Sequence, residues 1–367
     1  MSRPTYIFAG GGTGGHLYPA LAVAERLTAL RPDAVAVFAC SDRDIDRRIL
    51  EPTPYAMTPQ PIRPLPRGLR GWGTFLRGWV RSGRLARRMV ADLQPAAVLG
   101  LGGFAAAPVV QAASRRGVRC GLLSIDAIPG VANRSLAGHV EAIFAQFEST
   151  PAAYGRRADK VRVIGCPVRA GLIGGDRAEA LRQFGLRDDR RTLLVMAGSL
   201  GAANINEALA RLRPDLEALA DRWQVLHLAG PGKMDAAAGA FAGSTLTYAA
   251  RAFCDRMDLA YAAADLVLCR AGASTVGELA AVGRPGVLMP YPYHRDQHQR
   301  ANIVDAAAAG AAVEVLDAKD PAANAEALRR ELLPILSDAD RLERMAAAAA
   351  GRARTDAADR IAQWLAG

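Results

Sequence analysis

Two stretches of this sequence carry residue types that could act on a phosphorylated ligand. His16 directly follows a glycine-rich run, Gly10–Gly15. An imidazole there could serve as a general base, because the positive end of an adjacent helix would favour the neutral ring that a base requires. A histidine at a helix start can equally be structural. The second stretch is Ser274-Thr275 with Glu278, whose hydroxyls and carboxylate suit a phosphate and the cis-diol of a ribose.

The second stretch also has a structural interpretation. A serine or threonine that caps a helix, followed by a glutamate near the third or fourth helical position, forms a capping box. We favour ribose binding for Glu278, because a further polar cluster, 294–302, follows the next strand candidate. Imidazoles and amides such as those of His298 and Gln299 suit sugar hydroxyls, since they donate and accept without a fixed full charge.

A glycine-rich turn occurs three times, each time after a short β-rich run and before a helix-like segment. The turns are Gly10–His16, Ala197–Ala202 and Arg270–Thr275. A strand, a tight turn and a helix N-terminus expose backbone N–H groups at the positive end of a helix dipole, an arrangement that binds phosphates. Their presence in both halves predicts two nucleotide-type α/β domains facing one ligand.

The composition is that of a globular protein with an anionic partner. The chain has 367 residues, 51% of them hydrophobic, and a net charge of +10, which predicts two domains and a phosphate or lipid ligand. A nucleic acid would be a further possible anionic partner. The five cysteines form no CxxC pair, which favours a reducing compartment. No signal peptide or transmembrane stretch is evident. We therefore expect a cytosolic or peripheral membrane protein.

The order of elements predicts a doubly wound parallel sheet in each half. Strand candidates in the first half are 5–9, 34–40, 97–101, 119–124, 142–146 and 161–164. The first helix is expected to start near Pro19. We expect an N-terminal domain at 1–165, a linker at 166–190, a C-terminal domain at 191–340, and a C-terminal helix at 341–367 that packs back on the N-terminal domain.

Residues 61–90 form a basic, aromatic segment with eight arginines and no acidic residue. Tryptophan and arginine around an apolar patch are typical of a segment that lies on anionic lipid. The residues that carry this prediction are Trp72, Phe75, Leu76, Arg77, Trp79 and Arg81. A solvated helix face and a nucleic-acid groove are the alternatives; no nucleic-acid-binding signature supports the latter.

A nicotinamide-dependent oxidoreductase is another alternative. Gly10–Gly15 matches the dinucleotide fingerprint, and Asp42 at the end of the second strand could contact a ribose. The continuation His16–Pro19 and the remaining glycine loops argue against it, since one dinucleotide would not explain them. The sequence has no Cys/His metal spacing, and we expect neither a metal nor a cofactor.

Several short motifs occur in a specific order along the chain. They are Gly11–His16 with Pro19–Ala22, Leu101–Phe104, Pro129–Arg134, Gly165–Arg169, Gly198–Ala202, Arg270–Thr275 and Asp296–Gln299. In this order the chain resembles the MurG family, the peptidoglycan glycosyltransferases of the GT-B fold, over essentially its whole length. The resemblance implies two Rossmann-like domains facing a cleft.

The resemblance implies a reaction as well as a fold. The family transfers N-acetylglucosamine from UDP-N-acetylglucosamine (UDP-GlcNAc) to the C4 hydroxyl of undecaprenyl-diphospho-N-acetylmuramoyl-pentapeptide, with inversion. This reaction of peptidoglycan synthesis, tied to cell shape and division, takes place on the cytoplasmic face of the cell (inner) membrane. The C-terminal domain would hold UDP-GlcNAc, and the N-terminal domain would hold the lipid acceptor. Segment 61–90 would match the membrane-docking region, and a cell-wall synthesis complex would be the setting.

The matching motifs also imply site residues. His16 is the candidate base, with Asp126 as the alternative. Donor contacts fall on Thr13, Gly14, Gly15, Asp126, Arg169, Ser199, Phe253, Cys254, Gly272, Ala273, Ser274, Thr275, Val276, Gly277, Glu278, His298 and Gln299. Acceptor contacts fall on Gly12, Thr13, Gly14, His16, Gly102, Gly103 and Phe104.

The chain departs from the family pattern just before Pro129–Arg134. The family has His-Glu-Gln-Asn where this chain reads Leu123–Asp126. Asp126 can accept hydrogen bonds from sugar hydroxyls but cannot donate. Leu200 replaces a usual glutamine, and Phe104 a usual tyrosine. These changes leave open a paralogue that uses another UDP-sugar or another lipid or secondary-metabolite acceptor, and a non-catalytic membrane scaffold.

Overall fold

The computed structural model describes residues 3–63, 66, 71–196, 203–293 and 298–367. The chain divides into two compact units. Unit 1 comprises Met1–Arg169 and Arg354–Gly367, and unit 2 comprises Ala170–Ala353.

Unit 1 is built on a parallel sheet that has seven strands in the described part of the chain, in the order β3-β2-β1-β4-β5-β6-β7. The strands are β1 Thr5–Gly10, β2 Val35–Ala39, β3 Ala56–Met57, β4 Ala97–Gly102, β5 Arg119–Ser124, β6 Ala142–Ala145 and β7 Val161–Val163. The strand order reverses beside β1, which pairs with both β2 and β4. Ligands of doubly wound folds bind at such a switch point, beyond the carboxyl ends of the strands.

The helices of unit 1 cover this sheet. They are α1 Gly14–Leu30, α2 Asp44–Leu50, α3 Trp72–Leu93, α4 Ala106–Ser114 and α5 Val131–Leu136, with 3-10 helices at Ala137–His139 and Thr150–Lys160. The start expected near Pro19 was wrong, because α1 begins at Gly14 and contains Pro19. His16 therefore lies inside the first helical turn, where its backbone N–H donates to the carbonyl oxygen of Thr13 at 3.2 Å.

Unit 2 repeats the design with six parallel strands in its described residues, ordered β10-β9-β8-β11-β12-β13. The strands are β8 Arg191–Met196, β9 Trp223–Leu228, β10 Tyr248–Arg251, β11 Leu266–Cys269, β12 Gly286–Leu288 and β13 Ala312–Glu314. Its helices are α6 Arg177–Phe184, α7 Ala203–Arg211, α8 Arg213–Glu217, α9 Met234–Ala240, α10 Met257–Ala263, α11 Ala273–Val282, α12 His298–Ala301, α13 Val304–Ala308, α14 Pro321–Glu331, α15 Leu333–Ser337 and α16 Ala339–Ala350, with a 3-10 helix at Ala170–Leu172. The prediction of two doubly wound parallel-sheet domains is confirmed.

The tail of the chain forms two helices rather than one. The first, α16, belongs to unit 2, and the last, α17 Ala357–Ala366, packs against α1 in unit 1. Trp364 of α17 is 9% exposed, and its ring meets that of Phe144 edge-on at 5.3 Å. A side chain in place of Gly121 would come within 2.9 Å of that indole. The last helix is therefore part of the core of unit 1.

Candidate active site

The first glycine loop of unit 1 is held from below by a buried carboxylate. Asp46, on α2, is fully buried and accepts hydrogen bonds from the backbone N–H of Gly12 at 2.7 and 2.9 Å. The backbone N–H and the hydroxyl of Ser41 donate to the same carboxylate at 2.8 and 2.7 Å. Gly11 has a φ of +152°, and a side chain there would collide with Asp46. The glycine run is thus needed for this close approach as well as for the turn.

The ring of His16 is oriented by the same loop. Its Nδ1 lies 3.3 Å from Thr13 Oγ1 and 3.4 Å from the carbonyl oxygen of Gly11. A carbonyl only accepts, so a proton on Nδ1 would satisfy the second contact and would leave Nε2 as an acceptor. A Cβ on Gly102 would lie 3.3 Å from Nε2. Glycine at 102 therefore keeps the basic nitrogen approachable.

Other predicted residues lie at the same edge of the sheet as His16. Gly102, Gly103 and Phe104 follow β4, and Asp126 follows β5, half-buried. Since β1, β4 and β5 are neighbours, their carboxyl ends meet at one edge. The Phe104 ring lies under the guanidinium of Arg43, 5.3 Å from its centroid.

Of the remaining unit 1 assignments, Thr13 is the N-cap of α1, and Gly14 and Gly15 form its first turn. The first turn of α1 contains no acidic residue, which favours an anion there. Arg169 lies in unit 1, with its guanidinium 5.2 Å from the centre of the Tyr18 ring.

In unit 2, helix α11 presents its N-terminus directly after β11. Gly272 is the N-cap, Ala273 is the first helical residue, and the cap makes no side-chain hydrogen bond. Ser274 and Thr275 are therefore second and third in the helix, and Glu278 is sixth. The capping-box interpretation is wrong, because Glu278 belongs to the second turn. The first turn contains no acidic residue, so the positive end of the helix remains suited to an anion. Val276 and Gly277, also assigned to the donor, are buried in this helix.

Glu278 is tied to a tyrosine that the sequence analysis missed. The hydroxyl of Tyr261, on α10, donates to Glu278 Oε2 at 2.7 Å. Tyr261 is 1% exposed, and its burial, with the Glu278 charge nearby, raises its pKa well above the usual value. The hydroxyl therefore keeps its proton and acts as a donor to the carboxylate.

A buried ion pair fixes the loop between β11 and α11. Arg270 pairs at 2.8 Å with Asp317, whose side chain is fully buried, and donates to the carbonyls of Met289 and Pro290, at 3.2 and 3.3 Å. Asn204 donates to both oxygens of Asp317 at 3.1 Å. Burial opposes ionisation of Asp317, but hydrogen bonds from Asn324, the backbone N–H of Lys319, Arg270 and Asn204 outweigh it and lower its pKa. This pair and its hydrogen bonds therefore join the segments that follow the neighbouring strands β8, β11, β12 and β13.

The other unit 2 assignments are spread over nearby loops. Gln299 Oε1 accepts from the backbone N–H of Tyr291 at 2.8 Å, and His298 begins α12. Phe253 is 56% exposed after β10, and Cys254 beside it is buried, which raises the pKa of its thiol. Ser199 and Leu200 lie outside the described residues.

Helix α3 carries the predicted membrane segment. Gly78, Ser82 and Ala86 face inward, whereas Trp72, Leu76 and Val80 are 43%, 53% and 46% exposed. Phe75 lies between two neighbouring indoles, edge-on to Trp72 with ring centres 5.7 Å apart and tilted against Trp79 at 6.0 Å. Arg77 and Arg81 are exposed on an adjoining face. Within the described residues, no helix is long and apolar enough to cross a membrane.

The two Rossmann-like units match the two domains of glycosyltransferase family 28. The N-terminal domain of that family matches residues 6–145, and its C-terminal domain matches residues 192–361. The chain belongs to this family of glycosyltransferases, and within it to the MurG group, as the following relatives show.

The curated relatives align over nearly the whole chain and carry one name, UDP-N-acetylglucosamine–N-acetylmuramyl-(pentapeptide) pyrophosphoryl-undecaprenol N-acetylglucosamine transferase. The protein of Salinibacter ruber is 38% identical over 98% of this chain and 95% of its own length. That of Leifsonia xyli is 37% identical over 97% of this chain and 96% of its own. The crystal structure of Acinetobacter baumannii MurG superposes with a TM-score of 0.77 at 26% identity, covering 99% of both chains. The nicotinamide alternative is therefore wrong.

Proposed function

We propose that the protein transfers N-acetylglucosamine from UDP-GlcNAc to the C4 hydroxyl of undecaprenyl-diphospho-N-acetylmuramoyl-pentapeptide, forming the disaccharide lipid of peptidoglycan synthesis. The names of its relatives support this reaction. The observation that carries it is the N-terminus of α11, where the Gly272 cap makes no side-chain hydrogen bond, the first turn has no acidic residue, and Glu278 follows one turn later. A diphosphate and the ribose attached to it need these two groups in this order.

In the proposed reaction the acceptor C4 oxygen attacks the anomeric carbon from the face opposite UDP. The bond between that carbon and the β-phosphate oxygen breaks, and the configuration inverts. Nε2 of His16 takes the hydroxyl proton, which its tautomer permits. Negative charge grows on the departing UDP, and a helix N-terminus aimed at it stabilises the transition state more than the ground state.

We propose that no metal is needed for this step. First-turn N–H groups and the helix dipole would take the electrostatic role that a divalent cation plays in other nucleotide-sugar enzymes. Turnover that is unchanged by a chelator and by added Mg²⁺ would support this proposal, and loss of turnover on chelation would overturn it.

Asp126 supports a second candidate, a transferase with another donor sugar or acceptor. Its carboxylate stands where the family has an amide, and it can accept but not donate. It is also the alternative base. A change of preferred sugar on Asp126→Asn would support the first role, and loss of turnover with unchanged donor affinity would support the second.

We also propose that the protein is peripheral on the cytoplasmic face of the membrane, held by the exposed aromatic and arginine side chains of α3. The lipid tail of the acceptor would lie in that membrane. A cell-wall synthesis complex at the same surface would receive the product.

The decisive experiment measures UDP release from UDP-GlcNAc with and without a soluble analogue of the lipid acceptor, and repeats it with UDP-glucose and UDP-N-acetylgalactosamine. Acceptor-dependent release with UDP-GlcNAc alone is the expected result. Release with another sugar would replace the proposed donor. Membrane binding without any release would favour a non-catalytic scaffold.

A further inference from the structure

We infer that Tyr261 is a positioning residue of the ribose site: its buried hydroxyl holds the Glu278 carboxylate in place and thereby sets the preference for ribonucleotides over 2′-deoxyribonucleotides. This inference rests on the proposed donor role of Glu278. It concerns a side chain that does not itself reach the ligand.

The Glu278 carboxylate must be held in one position if it is to bind a ribose. A glutamate has three side-chain torsions, and ordering it on a half-buried surface costs conformational entropy. The hydrogen bond from Tyr261 at 2.7 Å fixes the far end of the side chain, at Oε2. A carboxylate has about four lone-pair sites, so accepting from the tyrosine leaves it able to accept from a diol.

Tyr261 is itself held rigidly by its surroundings. Its side chain is buried in unit 2, and its backbone carbonyl accepts from Arg284 Nε at 3.0 Å. The next two carbonyls of α10, at Ala262 and Ala263, accept from Arg177, at 3.3 and 2.7 Å. The last carbonyls of a helix have no partner within it, so these two arginines fix the end of α10 that carries the tyrosine.

A fixed carboxylate can distinguish a ribose from a 2′-deoxyribose. A carboxylate that accepts from both ribose hydroxyls discriminates against a sugar that lacks one, because the lost hydrogen bond is to a charged group. That discrimination depends on the carboxylate staying in one geometry. If the anchor is removed, Glu278 samples other rotamers and the 2′ hydroxyl contributes less to binding.

The test compares UDP with 2′-deoxy-UDP by calorimetry on the full chain. We expect the wild type to prefer UDP by roughly tenfold or more. Tyr261→Phe, which removes only the hydroxyl, should lower that preference by about threefold or more and raise the KM for UDP-GlcNAc while leaving kcat nearly unchanged. Glu278→Gln should lower the preference further, and the double variant should behave as Glu278→Gln alone.

Tyr248→Phe is the matched control. Tyr248 is a partly buried tyrosine of unit 2, and its hydroxyl bonds to His227 rather than to Glu278. It should lose stability without losing the preference for UDP. Thermal unfolding of each variant separates a local from a global effect.

The possible results separate a failure of the Tyr261 role from a failure of the proposed function. A wild type that binds UDP with a ribose preference, together with a Tyr261→Phe variant that keeps that preference in full, would overturn the role of Tyr261 and leave the donor site standing. A wild type that binds neither nucleotide would overturn the proposed function and this inference with it. If Tyr261→Phe fails to fold, Glu278→Asp provides the second test. Its shorter side chain cannot reach both partners, so an undiminished preference for UDP would contradict the inference.

Discussion

The backbone N–H of Gly12 donates to both oxygens of the buried Asp46 carboxylate. The first glycine loop is therefore anchored by the negative charge of Asp46, and the N–H of Gly12 is already hydrogen-bonded within the protein. That N–H is thus not available to an anion bound by unit 1. The two glycine loops whose surroundings are described thus differ: one is tied to a carboxylate, and the other opens a helix capped by Gly272.

Replacing Asp46 should loosen this loop. Asp46→Asn keeps the size of the side chain but can no longer accept from Gly12 and Ser41 with both oxygens. We expect a loss of about 2 to 3 kcal/mol in the free energy of unfolding and a fall in kcat/KM. Urea titration and turnover assays measure the two effects. Asp44→Asn, on the exposed face of the same helix, is the control and should change neither.

His16→Ala should abolish most of the turnover without affecting donor binding. General-base catalysis contributes about 10²- to 10⁴-fold, so we expect kcat to fall by at least about a hundredfold. The affinity for UDP should stay within about twofold, because the proposed role of His16 is toward the acceptor hydroxyl rather than the nucleotide. Near-normal kcat in this variant would remove His16 as the base and direct attention to Asp126.

The α3 surface should bind anionic vesicles in a salt-dependent way. Arg77→Glu with Arg81→Glu should weaken co-sedimentation with phosphatidylglycerol vesicles by at least about tenfold, at about 1 kcal/mol for each cation near the surface. Trp72→Ser with Leu76→Ser should weaken it at high salt as well, since that contribution is apolar.

The matched control for the charge change is Arg115→Glu with Arg116→Glu. These two exposed arginines follow the C-terminal end of α4 in the same unit. They change the net charge equally, so equal loss of vesicle binding would show that overall charge, rather than the α3 surface, attracts the lipid.

His227 should make the stability of the protein depend on pH. The ring is buried between Asn206 and Tyr248, and burial lowers its pKa from 6.5 to about 4. Between these values the unfolded chain binds a proton that the folded chain does not. Stability is therefore full above about pH 6.5 and falls as the pH drops towards 4, by roughly 3 kcal/mol at about 1.4 kcal/mol per pKa unit. Urea titrations across this range should show the slope, and His227→Gln should flatten it. An equal slope in the variant would assign the effect to other groups.

The sequence predicted well both the strands and the edge of each sheet at which the site residues lie, because both depend on local patterns. Apolar runs such as Thr192–Met196 became buried central strands, and the glycine turns marked the carboxyl ends at which site residues gather. The two-residue strand β3 was missed, since Ala56–Met57 is too short to show a pattern and forms by pairing with β2. Gly14 and Gly15 resemble a loop, so the true start of α1 was missed as well.

The side-chain anchors were beyond the reach of sequence reasoning. Asp46 is separated from Gly12 by 34 residues, and Tyr261 from Glu278 by 17. Neither spacing belongs to a helical or strand repeat, and each pair meets only through the tertiary fold. A single tyrosine in an apolar helix and one of two aspartates in a charged helix give no local signal of such contacts.

The return of α17 to unit 1 has a consequence for biosynthesis. Trp364 and its neighbours complete a core whose strands are translated more than two hundred residues earlier, with all of unit 2 translated in between. During synthesis the surface of α1 that α17 will cover emerges from the ribosome long before its partner does. Unit 2 can complete its own core as soon as Ala353 has left the exit tunnel, whereas the unit that is started first is the one finished last.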